Sequence, residues 1–232
     1  MDTQNFSSQF DTLANSMYMS SPQYAVEIPL TFNEYEKSVF LTKAQRDIIL
    51  DVYSKGTFER TEEYTEYLDM LVEQAVIQPS EDMDDKLGNN SYMFKLPADL
   101  WFITYEQAVI KDSALNCGGS DERTVDVVPI TQDTIYRTKE SPFRGANARR
   151  VLRLRIQDYS ELQSIYPVIS YLIRYVRNPK PIILAELPEG LDIEGETHIT
   201  ECELSSSMHR MILDRAVTYA LQTKGIQLNN NQ

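Results

Sequence analysis

The apolar residues of this chain change their repeat part-way along it, and that change limits the folds open to it. Up to about residue 78 they recur at three- and four-residue spacing, the period of one helix face. From Ser91 the period changes toward that of strands, and a last helical pattern follows Ser205. The expected fold class is α+β: a largely antiparallel β core, flanking helices near both ends, and an extended N-terminal arm.

Residues 1–31 read as the arm. Phe6, Phe10, Leu13 and Met17 fall at i, i+4, i+7 and i+11 on one face of a short helix, which Ser20-Ser21-Pro22 breaks. A terminal apolar stripe of this kind either docks on a second subunit or packs on its own domain. Residues 32–225 read as a mixed α/β domain, and 226–232 as a polar, disordered tail.

Within the domain, Thr42-x-x-Gln45 fits a capping box opening a helix that Gly56 ends, with Ile48, Ile49, Val52 and Tyr53 inward. A second helix is predicted over Glu62–Gln78, stopped by Pro79, with Tyr64, Tyr67, Leu68, Leu71, Val72 and Ala75 inward. Alternation predicts strands at 92–96, Leu100–Lys111, Thr124–Ile130, Arg149–Ile156, Ile169–Val176 and Pro181–Ala185. Further short strands are expected at Leu191–Ile193 and His198–Leu204, and a short helix within Thr131–Lys139. Ser205 or Ser206 caps a final helix to about Lys224, with Met208, Ile212, Ala216, Val217 and Ala220 inward and Gly225 as its stop.

The net charge of −13 is unevenly spread. Glu59–Asp85 carries ten acids and one base, whereas Arg137–Lys180 carries ten bases and three acids. These are either two solvated faces or the two halves of a head-to-tail contact between copies, which closes into a ring when the rotation allows. On the second reading the inter-subunit residues are Glu62, Glu63 and Glu66 on one side and Arg149, Arg150, Arg153 and Arg155 on the other, with Phe6, Phe10 and Leu13 of the arm. The fourteen tyrosines suit an interface-rich protein as well as an ordinary core.

Signals for chemistry are weak. The two histidines, His198 and His209, are poorly placed to act as a pair, and His198 and Glu201 point to opposite faces of a strand, so no metal or other cofactor is expected. Cys202 sits between Glu201 and Glu203, whose charge disfavours a thiolate nucleophile. Gly118-Gly119-Ser120 lacks the Lys-Ser/Thr of a phosphate-binding loop, and the acids near Glu81–Asp85 lack the ligand spacing of a Ca²⁺ loop. The arginines at 144, 149, 150, 153 and 155 could meet phosphate or protein, but a chain at −13 repels DNA at long range. The two cysteines, Cys117 and Cys202, read as buried thiols made in a reducing compartment. The N-terminus has no signal-peptide pattern, and no apolar run approaches the roughly 18 residues of a membrane span.

Four blocks, in order, carry a resemblance. They are Phe10-Asp11-Thr12-Leu13, the run Tyr35–Gln45 (YEKSVFLTKAQ), Arg174-Tyr175 with Pro179-Lys180-Pro181-Ile182, and Cys202-Glu203-Leu204 with the run Ile212–Val217. Together they resemble ring and connector structural proteins of the portal–tail region of crAss-like tailed bacteriophages. The resemblance implies a non-enzymatic virion protein, made in the host bacterial cytoplasm. It implies a ring of identical copies, twelve by analogy with the portal, in the neck or tail barrel below it. The partners it implies are the portal, neighbouring rings, and genomic DNA passing through the lumen without specific binding. An assembly factor or ejected cargo protein is the alternative.

Overall fold

A computed structural model describes residues 2–19, 29–59, 67–80, 90–112 and 121–226, the side chains of 55–59 excepted. The chain divides into two compact units: residues 1–71 with 179–232, and residues 72–178.

The first unit is helical. Helix α1 (Thr3–Met19) starts at Asp2, whose carboxylate accepts the Asn5 N–H at 2.9 Å. It buries Phe6, Phe10, Ala14 and Tyr18, a stripe of four-residue steps. Phe10 stands edge-on to Phe32 at 5.6 Å between ring centroids, and Phe6 tilts against His209 at 5.2 Å. The expected arm is therefore, over Thr3–Met19, a helix packed into its own unit. The lone chain leaves 0 % of Phe10 exposed, so the burial needs no second subunit.

Helix α2 (Glu34–Glu59) runs through Gly56, and it begins a full two turns before the Thr42–Gln45 box. The working box is Asn33-x-x-Glu36: Asn33 Oδ1 accepts the Glu36 N–H at 2.7 Å, and Glu36 Oε2 accepts the Asn33 N–H at 3.0 Å. Near its start the buried Lys37 ammonium reaches Asp11 at 2.7 Å and Glu34 at 2.9 Å, locking α1 to α2. Burial opposes that charge, but the hydrogen bonds and the charges of Asp11 and Glu34 outweigh it and raise the Lys37 pKa.

Thr42 and Gln45 have another task. With Ser38 they form a polar row at i, i+4 and i+7 facing the segment after Pro179. Ser38 Oγ accepts the Leu184 N–H at 3.0 Å, Thr42 Oγ1 accepts the Ile182 N–H at 3.0 Å, and Gln45 Nε2 donates to the Lys180 carbonyl at 3.2 Å. Helix side chains thus stand in for a neighbouring strand. Of the strands expected between Pro181 and Leu204, only single bridges form, Ile183 to Thr200 and Ile193 to Glu196. Pro179, Pro181 and Pro188 remove the donors a ladder needs. Thr42→Val leaves the buried Ile182 amide without an acceptor and is expected to cost about 1–3 kcal/mol in urea unfolding, against a few tenths for Thr42→Ser.

The unit's last helix, Ser206–Thr223, buries Met208, Ile212, Ala216, Val217 and Ala220 as expected. Gly225 takes φ +78° just past its end, with Gly225 N–H on Gln222 O and Ile226 N–H on Leu221 O, both at 3.0 Å. Ile226 is buried by this turn, so it closes the helix and is not part of a disordered tail; residues 227–232 lie outside the described residues.

The second unit is one seven-stranded sheet. Its strands are β1 (Val72–Ile77), β2 (Ser91–Lys95), β3 (Leu100–Lys111), β4 (Glu122–Ile130), β5 (Arg150–Ile156), β6 (Tyr159–Gln163) and β7 (Val168–Arg177). The order is β1-β7-β3-β4-β5-β6-β2, with β4 and β5 parallel and every other pair antiparallel. A crossover containing helix α3 (Ile135–Glu140) joins the parallel pair; the helix Ser206–Thr223 is accordingly α4.

The predicted helix over 62–78 holds at Tyr67 and Leu68 and fails from Asp69 onward. Asp69–Leu71 is a single 3-10 turn and 72–77 is edge strand β1, paired with β7 from Val72–Val176 to Ile77–Tyr171. The sheet curls on itself. Phe94 of β2 and Tyr171 of β7 meet at 5.4 Å although four strands separate them in the order. The Ser80 amide, just past β1, donates to Met93 of β2 at 2.7 Å, so the two edges nearly close. Inside the curl Leu96, Ile110, Val127, Val151, Leu162 and Ile173 form the core with Phe94 and Tyr171.

Candidate assembly surfaces

The basic block does not act as one face. Arg153 of β5 is an interior residue: its guanidinium Nη2 donates to Glu106 Oε1 at 3.0 Å, its Nε lies 2.7 Å from Oε2, and the two side chains are 12 % and 10 % exposed. The Tyr171 hydroxyl donates to the same carboxylate at 2.5 Å, and burial pushes that phenol far above its usual range. Arg153 is therefore removed from the expected interface set, because its charge is consumed within its own sheet.

Arg150 is structural too. Its Nη2 donates to the carbonyls of Phe143 at 2.6 Å and Gly145 at 3.0 Å, tying down the tip of the crossover. Arg123 holds the far end of the same crossover through the Ala148 carbonyl and lies 3.2 Å from Asp112. Arg149 and Arg155 remain exposed, as do Arg137, Lys139 and Arg144. Phe6 and Phe10 are core residues, as described above, and Leu13 is half-buried. Glu62, Glu63 and Glu66 lie outside the described residues.

Two features of the described surface were not anticipated from the sequence. The first is the crossover tip. Phe143 is 87 % exposed and Tyr136, on α3, is 72 % exposed, on a segment two guanidinium groups hold in place. Gly145 is required there, since a Cβ at that position would lie 2.9 Å from the Ser141 carbonyl oxygen. The second is a shallow groove of about 710 Å³ between α2 and α4 in the helical unit. Leu50 and Met211, 42 % and 50 % exposed, give it an apolar lining, and Asp47, Asp51 and Asp214 line it against the single cation Arg215. Arg215 pairs with Asp51 at 2.7 Å, Tyr219 donates to Asp47 at 2.6 Å, and Arg210 reaches Asp214 at 3.2 Å.

The groups first weighed for chemistry have ordinary settings. His198 Nδ1 lies 3.0 Å from Glu186 at the surface, and His209 is buried with Nε2 on the Leu204 carbonyl at 3.0 Å. Among the described residues, no three His, Cys, Asp or Glu side chains gather where a metal could be held. No helix of the described chain is long and apolar enough to cross a membrane. Burial, more than the Glu203 charge, pushes the Cys202 thiol up to about 11. Native protein at pH 8 is thus expected to give the same maleimide-labelling rate before and after Cys202→Ser. A drop in labelling on substitution would place a reactive thiol there.

Comparison with known proteins decides the family. The model of the phage tail ring protein 3/4 family matches residues 1–232. This chain belongs to that family. Ring protein 3 of Bacteroides phage crAss001 is 45 % identical over all of both chains, and Ring protein 4/5 of the same phage is 29 % identical over 95 % of this chain and 92 % of its own length. The resemblance carried by the blocks from Phe10 to Val217 thus extends to the whole chain. For a tail ring protein the informative surfaces are those that meet other polypeptides. Among the described residues, the crossover tip and the α2–α4 groove both expose large apolar side chains.

Proposed function

We propose that this tail ring protein is a structural component of the virion whose copies assemble around an axis. The ring stands in the head–tail connector below the portal and extends the conduit for DNA. The full-length match to Ring protein 3 at 45 % identity carries the reading. Twelve copies fit a partner of portal symmetry, and unlike surfaces that meet edge to edge close a ring without leaving an unsatisfied face. The −13 net charge suits a passage that DNA traverses without being gripped, since phosphate binding needs clustered cations that release counterions.

Imaging the mature particle with this chain tagged at its C-terminus tests the proposal. Density for the tag is expected as a ring at the single tail-bearing vertex. Tag found only in immature particles, or inside the capsid, would instead identify an assembly factor or an ejected protein.

A further inference from the structure

A pocket of about 230 Å³ lies within the sheet unit, between the crossover at Lys139 and Ala146 and the strands β5, β6 and β2. Gln163, the last residue of β6, lines it. Leu162 belongs to the core inside the curl, so strand alternation turns Gln163 to the other face. Gln163 is only 6 % exposed, yet neither its Oε1 nor its Nε2 meets a hydrogen-bond partner among the described residues. Buried amides without partners are rare in folded chains, and this one opens on a pocket larger than the roughly 30 Å³ share of a water. We infer that the pocket takes a carboxamide, the side chain of an asparagine or glutamine on a polypeptide segment from outside the sheet unit, paired to Gln163 through two hydrogen bonds.

The chemistry of Gln163 selects the ligand. Its side chain offers an acceptor and a donor side by side, and a second amide presents the same pair reversed. A carboxylate would engage Nε2 alone and set its other oxygen against Oε1, and an ammonium would engage Oε1 alone. A carboxylate would also meet Glu161, two positions back on the same face of β6, whose Oε1 accepts the Ser91 hydroxyl. Lys139 is exposed, where water and salt screen its pull on an anion. The backbone of Gln163 is already fixed between Ser91 of β2 and Leu152 of β5, so little order is lost on binding. Leu152 and Ile165 give the incoming methylene groups an apolar wall. Residues 227–232 (QLNNNQ) hold five carboxamides in six positions and are one source of the ligand; a neighbouring protein of the virion is the other. That the amide arrives on a polypeptide rests on the ring reading above, whereas the pairing at Gln163 does not.

A dye-labelled peptide with the sequence of residues 227–232, titrated into the full-length protein and followed by fluorescence anisotropy, tests the pocket. The same titration is run on a chain whose five carboxamides at 227 and 229–232 are replaced by serine. Saturable binding is expected, at least about tenfold weaker for Gln163→Leu and for a peptide with Asp at its three Asn positions. Leucine strands no partner of Gln163, so the variant should keep the wild-type circular dichroism. The Asp peptide probes the same pairing on unaltered protein. Tighter binding by the serine-substituted chain identifies the chain's own segment as the natural ligand, and equal binding identifies a second protein; both support the site. No binding to either chain, or binding that survives either the Gln163→Leu or the Asp change, overturns the inference and leaves a pocket for water only. The ring reading then stands or falls separately, on the position of the tag in the particle.

Discussion

Glu106→Ala is expected to destabilise the sheet unit by about 3–5 kcal/mol, the cost of leaving a guanidinium group buried without its counter-charge. Arg153 is only 12 % exposed and Glu106 is the carboxylate it contacts, so truncation strands the Arg153 charge and the Tyr171 hydroxyl together. The lone tryptophan, Trp101, lies in β3 of the same sheet, and its fluorescence in urea reports the change. The pair Glu106→Leu with Arg153→Met is expected to recover most of the loss, because an apolar pair of similar volume removes both desolvation penalties. Equal instability in single and double variants would show that packing around β3 and β5, and not the buried charge, sets the effect. The result also bears on assembly: a reversal of Arg153 that abolishes oligomers does so by unfolding the sheet.

Phe10→Ala is the second large effect, expected to cost about 3–5 kcal/mol through the cavity left beside Phe32. Helical circular dichroism at 222 nm should melt at a visibly lower urea concentration, since α1, α2 and α4 supply most of the described helix. A free assembly arm makes the opposite forecast. There, Phe10→Ala would leave the melting of the monomer untouched and weaken only self-association.

The strands were legible where burial on one or both faces wrote a plain pattern. Leu100–Lys111 is found as read, Arg149–Ile156 differs by one residue at its start, and Ile169–Val176 falls one residue short at each end. Helix α4 was equally clear, because its apolar spacing, Ser205 start and Gly225 stop all agree. The helix predicted through 67–77 failed after Leu68 for a physical reason. Its residues Tyr67, Leu68, Leu71, Val72 and Ala75 satisfy helical spacing, and only the open edge of β7 makes a strand of its second half. Strand β6 gave no signal, since its buried residues include Ser160, Glu161 and Gln163.

Helix α2 shows a related failure. Thr42 and Gln45 carry capping chemistry, but they spend it on the backbone at 180–182, some 140 residues away. The basic block was visible as composition, whereas the division of labour inside it was not. Nothing local tells Arg153, whose partner is 47 residues distant, from its exposed neighbours Arg149 and Arg155. The one signal for Phe143 was an aromatic residue beside Pro142 and ahead of Gly145 in a loop, where a core gives it no place.

The order in which the chain is written has a consequence for its birth on the ribosome. The sheet is one unbroken stretch, 72–178, so it can be completed as a block. The helices are not: α4 begins at Ser206, far downstream of Glu59 at the end of α2. At 5–20 residues per second, roughly 7–30 s pass between those points, and for that interval Phe6 awaits the helix whose His209 ring packs against it. Nascent copies on neighbouring ribosomes therefore display the same sticky face at the same moment, and a host chaperone that shields it would raise the yield of correctly closed subunits.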